Sequence, residues 1–274
     1  MPENTPAHQT TECGTTGPGC RSGGNSNGST GGGACPTYIE LVCAWSVHLL
    51  TASGAVVGLL ALVAVAHGEY MVSLRWMALT IAIDGVDGAL ARRFRVKSVV
   101  PSVDGALLDN VVDYFTWSVV PAFFLFMSPV IGEQWRVPVV AAVLVASGYQ
   151  FARCDAKTAD HTFSGFPSYW NIVVFYLFML EYPAWFNTSV IFLCAAASFA
   201  PLRCLYPSRT PHWRAFNVVF GVLWALCITA ALFLYPHGHA PFIRLSWVYV
   251  LYYTGFSARL TLRAGRKSNE RAAS

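Results

Sequence analysis

Five of the fourteen acidic residues, Asp84, Asp87, Asp104, Asp109 and Asp113, fall within thirty residues of one another, in otherwise apolar surroundings. Asp84 and Asp87 are three apart and Asp109 and Asp113 four apart, so on helices each pair shares a face. An ionised carboxylate inside a bilayer costs several kcal/mol unless it is paired or coordinated, which makes such acids functional candidates by default. If the two segments are antiparallel neighbours joined by the basic turn around residues 93 to 102, both pairs converge at one end. Four converging carboxylates cannot all stay ionised without cations. Hard oxygen ligands in this number suit Mg²⁺ or Mn²⁺, and two such ions roughly 3.5 to 4 Å apart form a clamp for in-line displacement at phosphorus.

The neighbouring residues fit such a site. Gly85, Gly88 and Gly105 put bare backbone beside the acids, where a ligand or another helix could approach closely. Arg92, one turn beyond Gly88, could pair with a phosphate or with the carboxylates. Arg93, Arg95 and Lys97 are explained more simply as a basic turn that fixes orientation. Asp104 follows Pro101 and Ser102 and is expected to cap the next helix.

The elements that must position these residues are membrane helices. Only 12% of the residues are charged, against about 25% in ordinary soluble domains. The expected fold is all-α and polytopic, with about eight hydrophobic spans near 41–67, 71–92, 103–127, 137–154, 168–183, 187–205, 216–235 and 241–258. An even count puts both termini on one side. Placing them in the cytoplasm leaves fifteen basic residues inside and only Arg75, Arg136 and Arg244 outside. Residues 1–36, rich in Gly and Ser, read as a disordered extension, 37–260 as the membrane domain and 261–274 as a basic cytoplasmic tail. A net charge of +4 without basic and aromatic interleaving excludes a nucleic-acid partner. Cys13, Cys20 and Cys35 read as unstructured thiols, and Cys43, Cys154, Cys194, Cys204 and Cys227 as small core residues. His48, His161, His237 and His239 read as structural or solvated, and Glu181 as lying at the outer edge of the fifth span.

Asp84-Gly-Val-Asp87-Gly88-Ala-Leu-Ala91-Arg92, then twelve residues, then Gly105-x-x-x-Asp109-x-x-x-Asp113, resembles the signature of the CDP-alcohol phosphatidyltransferase family. The twelve-residue interval, longer than the family's usual one, and the Asp-Gly that opens the motif resemble the bacterial, choline-accepting branch. Gly165-Phe166-Pro167-Ser168-Tyr169-Trp170-Asn171 and Tyr206-Pro207-Ser208-Arg209-Thr210-Pro211 are similar to stretches of that branch, and the likeness spans roughly residues 38 to 260.

The resemblance implies transfer of the phosphatidyl group of CDP-diacylglycerol to a small alcohol, choline in this branch, with release of CMP at the cytoplasmic face of the inner membrane. It implies two divalent cations, Mn²⁺ or Mg²⁺, held by Asp84, Asp87, Asp109 and Asp113, with Asp113 also taking the proton of the choline hydroxyl. It places Gly88, Ala91, Arg92 and Gly105 around the CDP group. A quaternary ammonium is held by aromatic faces. Tyr169 and Trp170 are the candidate choline residues, with Tyr114 and Trp117 just after the proposed base. Two other readings stand beside this one: the same chemistry with serine, glycerol phosphate or inositol as acceptor, and a cation-coupled transporter. A homodimer is left open.

Overall fold

The computed structural model describes residues 36–153, 162–205 and 214–273. The Gly/Ser-rich extension, Cys154, His161 and the Tyr206 to Pro211 stretch lie outside the described residues.

Helix α1, Tyr38–Ala66, starts where Thr37 closes a capping box with Glu40. The Glu40 amide donates to Thr37 Oγ1 at 3.3 Å and the Thr37 amide to Glu40 Oε2 at 2.9 Å. Gly68, at φ +78°, turns the chain in a left-handed conformation into α2, Tyr70–Arg93, which returns along α1. A short α3, Val96–Val99, then leads to α4, Gly105–Tyr114. Asp104 caps α4 as expected: its Oδ1 accepts from the amides of Ala106 and Leu107 at 3.0 and 3.2 Å. A π-helical turn, Phe115–Val119, joins α4 to α5, Val120–Met127, in one continuous rod.

A single 3₁₀ turn, Glu133–Trp135, precedes α6, Arg136–Ala152. Helices α7, Trp170–Met179, α8, Ala184–Phe199, α9, Arg214–Leu234, and α10, Ala240–Ala273, complete the bundle. Two three-residue strands, β1, Thr162–Ser164, and β2, Arg203–Leu205, pair antiparallel with Phe163 opposite Cys204. The fold is therefore helical, as expected, apart from this clip.

Eight helical rods are present among the described residues, near the expected hydrophobic runs, except that the last, α10, continues to Ala273, well past the expected end at residue 258. Four of them are long and apolar enough to cross a hydrocarbon layer: Tyr38–Ala66, Gly105–Met127, Glu133–Ala152 and Ala215–Leu234. Helices α7 and α8 are apolar but shorter, with 10 and 16 residues. Helix α2 carries Arg75, Asp84, Asp87, Arg92 and Arg93.

Hydrogen bonds sort the rods by end. At one end Tyr70 Oη donates to the Met127 carbonyl, Asn187 Nδ2 to the Val130 carbonyl, and Arg75 to the Leu232 carbonyl. At the other, Arg95 pairs with Glu40 at 3.0 Å, and Gln150 and Arg153 both donate to the Ser164 carbonyl. The core lies between these ends and takes residues from α1, α2 and α5 to α10, with Trp170, Phe124, Met77 and Ile191 fully enclosed. Cys43, Cys194, Cys204 and Cys227 are free thiols.

Candidate active site

Asp84 sits on the fourth turn of α2, and Asp109 and Asp113 sit one turn apart on α4. Each offers a carboxylate oxygen within 4.8 Å of the other two. The hairpin α1–α2 and the capped start of α4 set this register, because α1 packs along both partners. A Cβ at Gly54 would stand 3.0 Å from Val112 Cγ1, and one at Gly58 only 2.7 Å from Phe115 Cε1. The pair Gly54-x-x-x-Gly58 is thus what lets α4 approach α1 closely enough for its acids to reach Asp84. This small-residue motif is legible in the sequence of α1.

Asp87 takes a different place from the other three. It is buried, and its Oδ2 accepts the Thr51 hydroxyl of α1 at 2.7 Å. The structure brings together Asp84, Asp109 and Asp113, and turns Asp87, expected with them, to Thr51 of α1. Three carboxylates this close repel one another unless cations or protons intervene, and oxygen ligands at this spacing match the donor set of a hard divalent ion.

The other expected site residues divide. Asp84, Gly88 and Arg92 recur every fourth residue, on one face of α2, and Arg92 folds back so that its Nη1 would lie 3.6 Å from a Cβ at Gly88. Ala91 packs with Ala44, Val47, Val96 and Val99 between α1 and α3. Gly105 meets α1: a Cβ there would be 3.0 Å from His48 Cε1. His48 itself is buried, with no partner for Nε2.

Tyr169 and Trp170 are adjacent in sequence and separated in space. Trp170 is fully enclosed, its indole N–H donates to Ser147 Oγ at 2.7 Å, and its ring meets Phe166 edge-on. It is a core side chain with no face left for a ligand. Tyr169 instead faces Trp117, with ring centroids 5.6 Å apart at a 47° tilt, and Tyr253 of α10 at 6.2 Å. Trp117 lies one turn beyond Asp113, on the π-helical turn, so this aromatic corner adjoins the acids. Tyr253 was not singled out in the sequence, where nothing distinguishes it from Tyr249 and Tyr252. Tyr114 turns toward α6, edge-on to Phe151. Glu181 stands with Pro129 and Asn187 beside Tyr70, which begins α2 and is about 21 Å from Asp84 by helical rise.

A bundle of apolar helices, four of them long enough to cross a membrane, carries a cluster of three carboxylates with the donor set of a divalent-ion site. Residues 46–202 match the sequence model of the CDP-alcohol phosphatidyltransferases. The phosphatidylcholine synthase of Legionella pneumophila is 38% identical over 242 residues, which cover 82% of this chain and 95% of the relative. That of Rhizobium meliloti is 37% identical over 84% of this chain and 95% of its own length, and that of Brucella melitensis 35% identical over 82% of each. The chain belongs to the CDP-alcohol phosphatidyltransferase family.

Proposed function

We propose that the chain transfers the phosphatidyl group of CDP-diacylglycerol to choline, giving phosphatidylcholine and CMP, at the cytoplasmic face of the inner membrane. The observation that carries this reading is the convergence of Asp84, Asp109 and Asp113 within 4.8 Å, in a chain whose relatives over most of its length are phosphatidylcholine synthases.

Asp84, Asp87, Asp109 and Asp113 are the residues that would hold two divalent cations, Mn²⁺ or Mg²⁺. Bound there, such ions would neutralise the pyrophosphate and the departing nucleotide. Thr51 fixes the rotamer of Asp87, and Asp113 accepts the proton of the choline hydroxyl. The freed oxygen forms a bond to the phosphatidyl phosphorus while the bond to CMP breaks. Arg92, lying over Gly88 on the face of Asp84, pairs with phosphate oxygens. Choline has no N–H to donate, so its recognition falls to the tilted faces of Trp117, one turn from the base, and of Tyr169 and Tyr253 packed beyond it.

The eight rods would then cross the membrane with both termini inside, which puts the acidic end and the turn carrying Arg92, Arg93, Arg95 and Lys97 on the cytoplasmic side. Transport draws no support from a chain of this family. Serine, glycerol phosphate and inositol stay as competing acceptors to be tested. Purified protein given CDP-diacylglycerol and each alcohol with Mn²⁺, Mg²⁺ or chelator should form phosphatidylcholine and CMP from choline alone, and none under chelation. Product from serine but not choline overturns the acceptor, and no product with any alcohol overturns the enzyme reading.

A further inference from the structure

A pocket of about 330 Å³, open on one side, lies where α2 begins, with Tyr70, Val130, Phe178, Glu181, Tyr182 and Asn187 among its walls. That is about ten times a water's share of liquid volume, so the pocket has room for a small head group. Among the described residues no lysine or arginine lines it.

The charge around the pocket is of one sign. Helix α7 ends at Met179 and the rod that includes α5 ends at Met127, so two helix C-termini, the negative ends of their dipoles, come to the pocket wall. Glu181 follows two residues past α7, at φ +52°. Glycine is the usual residue at such a position, and a carboxylate beside the carbonyl end of a helix is electrostatically unfavourable as well. A glutamate held there against both costs points to a use for its carboxylate. The ion pairs among the described residues, Arg95 with Glu40 and Arg136 with Glu133, do not include it. Asn187 is 1% exposed and donates from Nδ2 to the carbonyls of Val130 and Tyr182, at 2.8 and 3.0 Å, while its Oδ1 has no hydrogen-bond partner. With both amide protons spent, Asn187 has only an acceptor left to offer. The rings of Tyr70 and Phe178, with centroids 5.7 Å apart, and that of Tyr182 supply aromatic wall.

We infer that this pocket binds a primary ammonium group. The cation pairs with Glu181, packs against the rings, and has N–H groups to give to the carboxylate and to Asn187, which a quaternary ammonium lacks. Trp185 and Phe186, exposed on the first turn of α8 just after Tyr182, suit a lipid that carries this group on its head. The site is separate from the chemistry at phosphorus, at the opposite end of α2 from Asp84, and does not depend on choline being the acceptor.

The test titrates the full chain in maltoside micelles with phosphatidylethanolamine, with its N-acetyl derivative, which keeps chains and phosphate but loses the ammonium, and with phosphatidylglycerol. The wild type should bind phosphatidylethanolamine about tenfold more tightly than either control. Glu181→Gln should lose that preference with its rate of CMP release unchanged. Glu181→Gly, which suits the left-handed backbone, should lose it too, with a melting temperature no lower than that of the wild type. Equal affinity of the wild type for the three lipids overturns the proposal, and this arm needs no variant to fold. A preference that persists in Glu181→Gln overturns it as well. Displacement of the bound lipid by free ethanolamine would assign the pocket to a soluble amine, and resistance to displacement would assign it to the lipid head; both support the ammonium site.

Discussion

Asp113 stands one turn after Asp109 and within 4.8 Å of Asp84, so the same carboxylate can touch an ion and the alcohol. Replacing it by Asn keeps shape and removes the basic oxygen. Asp113→Asn should retain CDP-diacylglycerol binding and lower kcat by about a thousandfold or more, since general-base contributions run from about 10² to 10⁴. Single-turnover assays beside lipid-binding titrations check this, and near-normal turnover would remove Asp113 as the base. Tyr169 and Trp170 make a second contrast. Tyr169→Ala should raise the choline KM about tenfold while leaving that for CDP-diacylglycerol in place. Trp170→Ala should instead cost about 3 to 5 kcal/mol of stability, seen as a lower melting temperature in detergent. The sequence shows that acids and aromatics are gathered here, because their identity alone is informative in an apolar chain. It does not show that Asp87 turns to Thr51 or that Trp170 turns inward. Three residues of helix leave about 60° between side chains, enough to separate two neighbours onto different partners.

At the scale of elements, α1 is the part that holds the site in register. Its Thr51 meets Asp87, its Gly54 and Gly58 meet Val112 and Phe115, and its His48 meets Gly105. The family resemblance puts Gly105 beside the nucleotide, and the structure gives it a steric reason of its own. Gly105→Ala should therefore lower kcat/KM about tenfold by pushing α4 off α1. A second change, His48→Ala, should restore most of that loss by removing the 3.0 Å neighbour. A double variant no better than the single would show that Gly105 is kept bare for the ligand. The helices themselves were legible from their apolar runs, and the cap at Asp104 from its place after Pro101. The faces were not. A helix that is apolar all round presents the same side chains to lipid and to core, so no periodicity marks which side packs.

At the scale of the whole molecule, the two ends differ in kind. One carries Tyr70, Met127, Val130 and Asn187, and the other the acids, the basic turn and the β1–β2 clip. With the acidic end inside, a cysteine introduced by Ser98→Cys in a cysteine-free background should react with an impermeant maleimide only after lysis. One introduced by Glu69→Cys should react in intact cells. The reverse pattern would invert the topology and move the site outside. The labelling tests the orientation expected from charge, which puts fifteen of eighteen basic residues on one side of the expected spans. Span length was harder to read, because α7 and α8 are short and the chain around them includes extended backbone.

The π-helical turn at Phe115–Val119 divides the rod that runs from Gly105 to Met127. A wider turn resets the phase of the helix, so that α4 turns its acids to Asp84 while α5 turns Val120, Ala122, Phe124 and Leu125 into the core, both halves packing on α1. The two halves can consequently vary on separate terms. Outward side chains beyond the turn, such as Phe126, can be exchanged to suit a different bilayer or neighbour without rotating Asp109 and Asp113. Shortening the turn by one residue would swing one half by about 100° against the other and uncouple chemistry from scaffold in a single step.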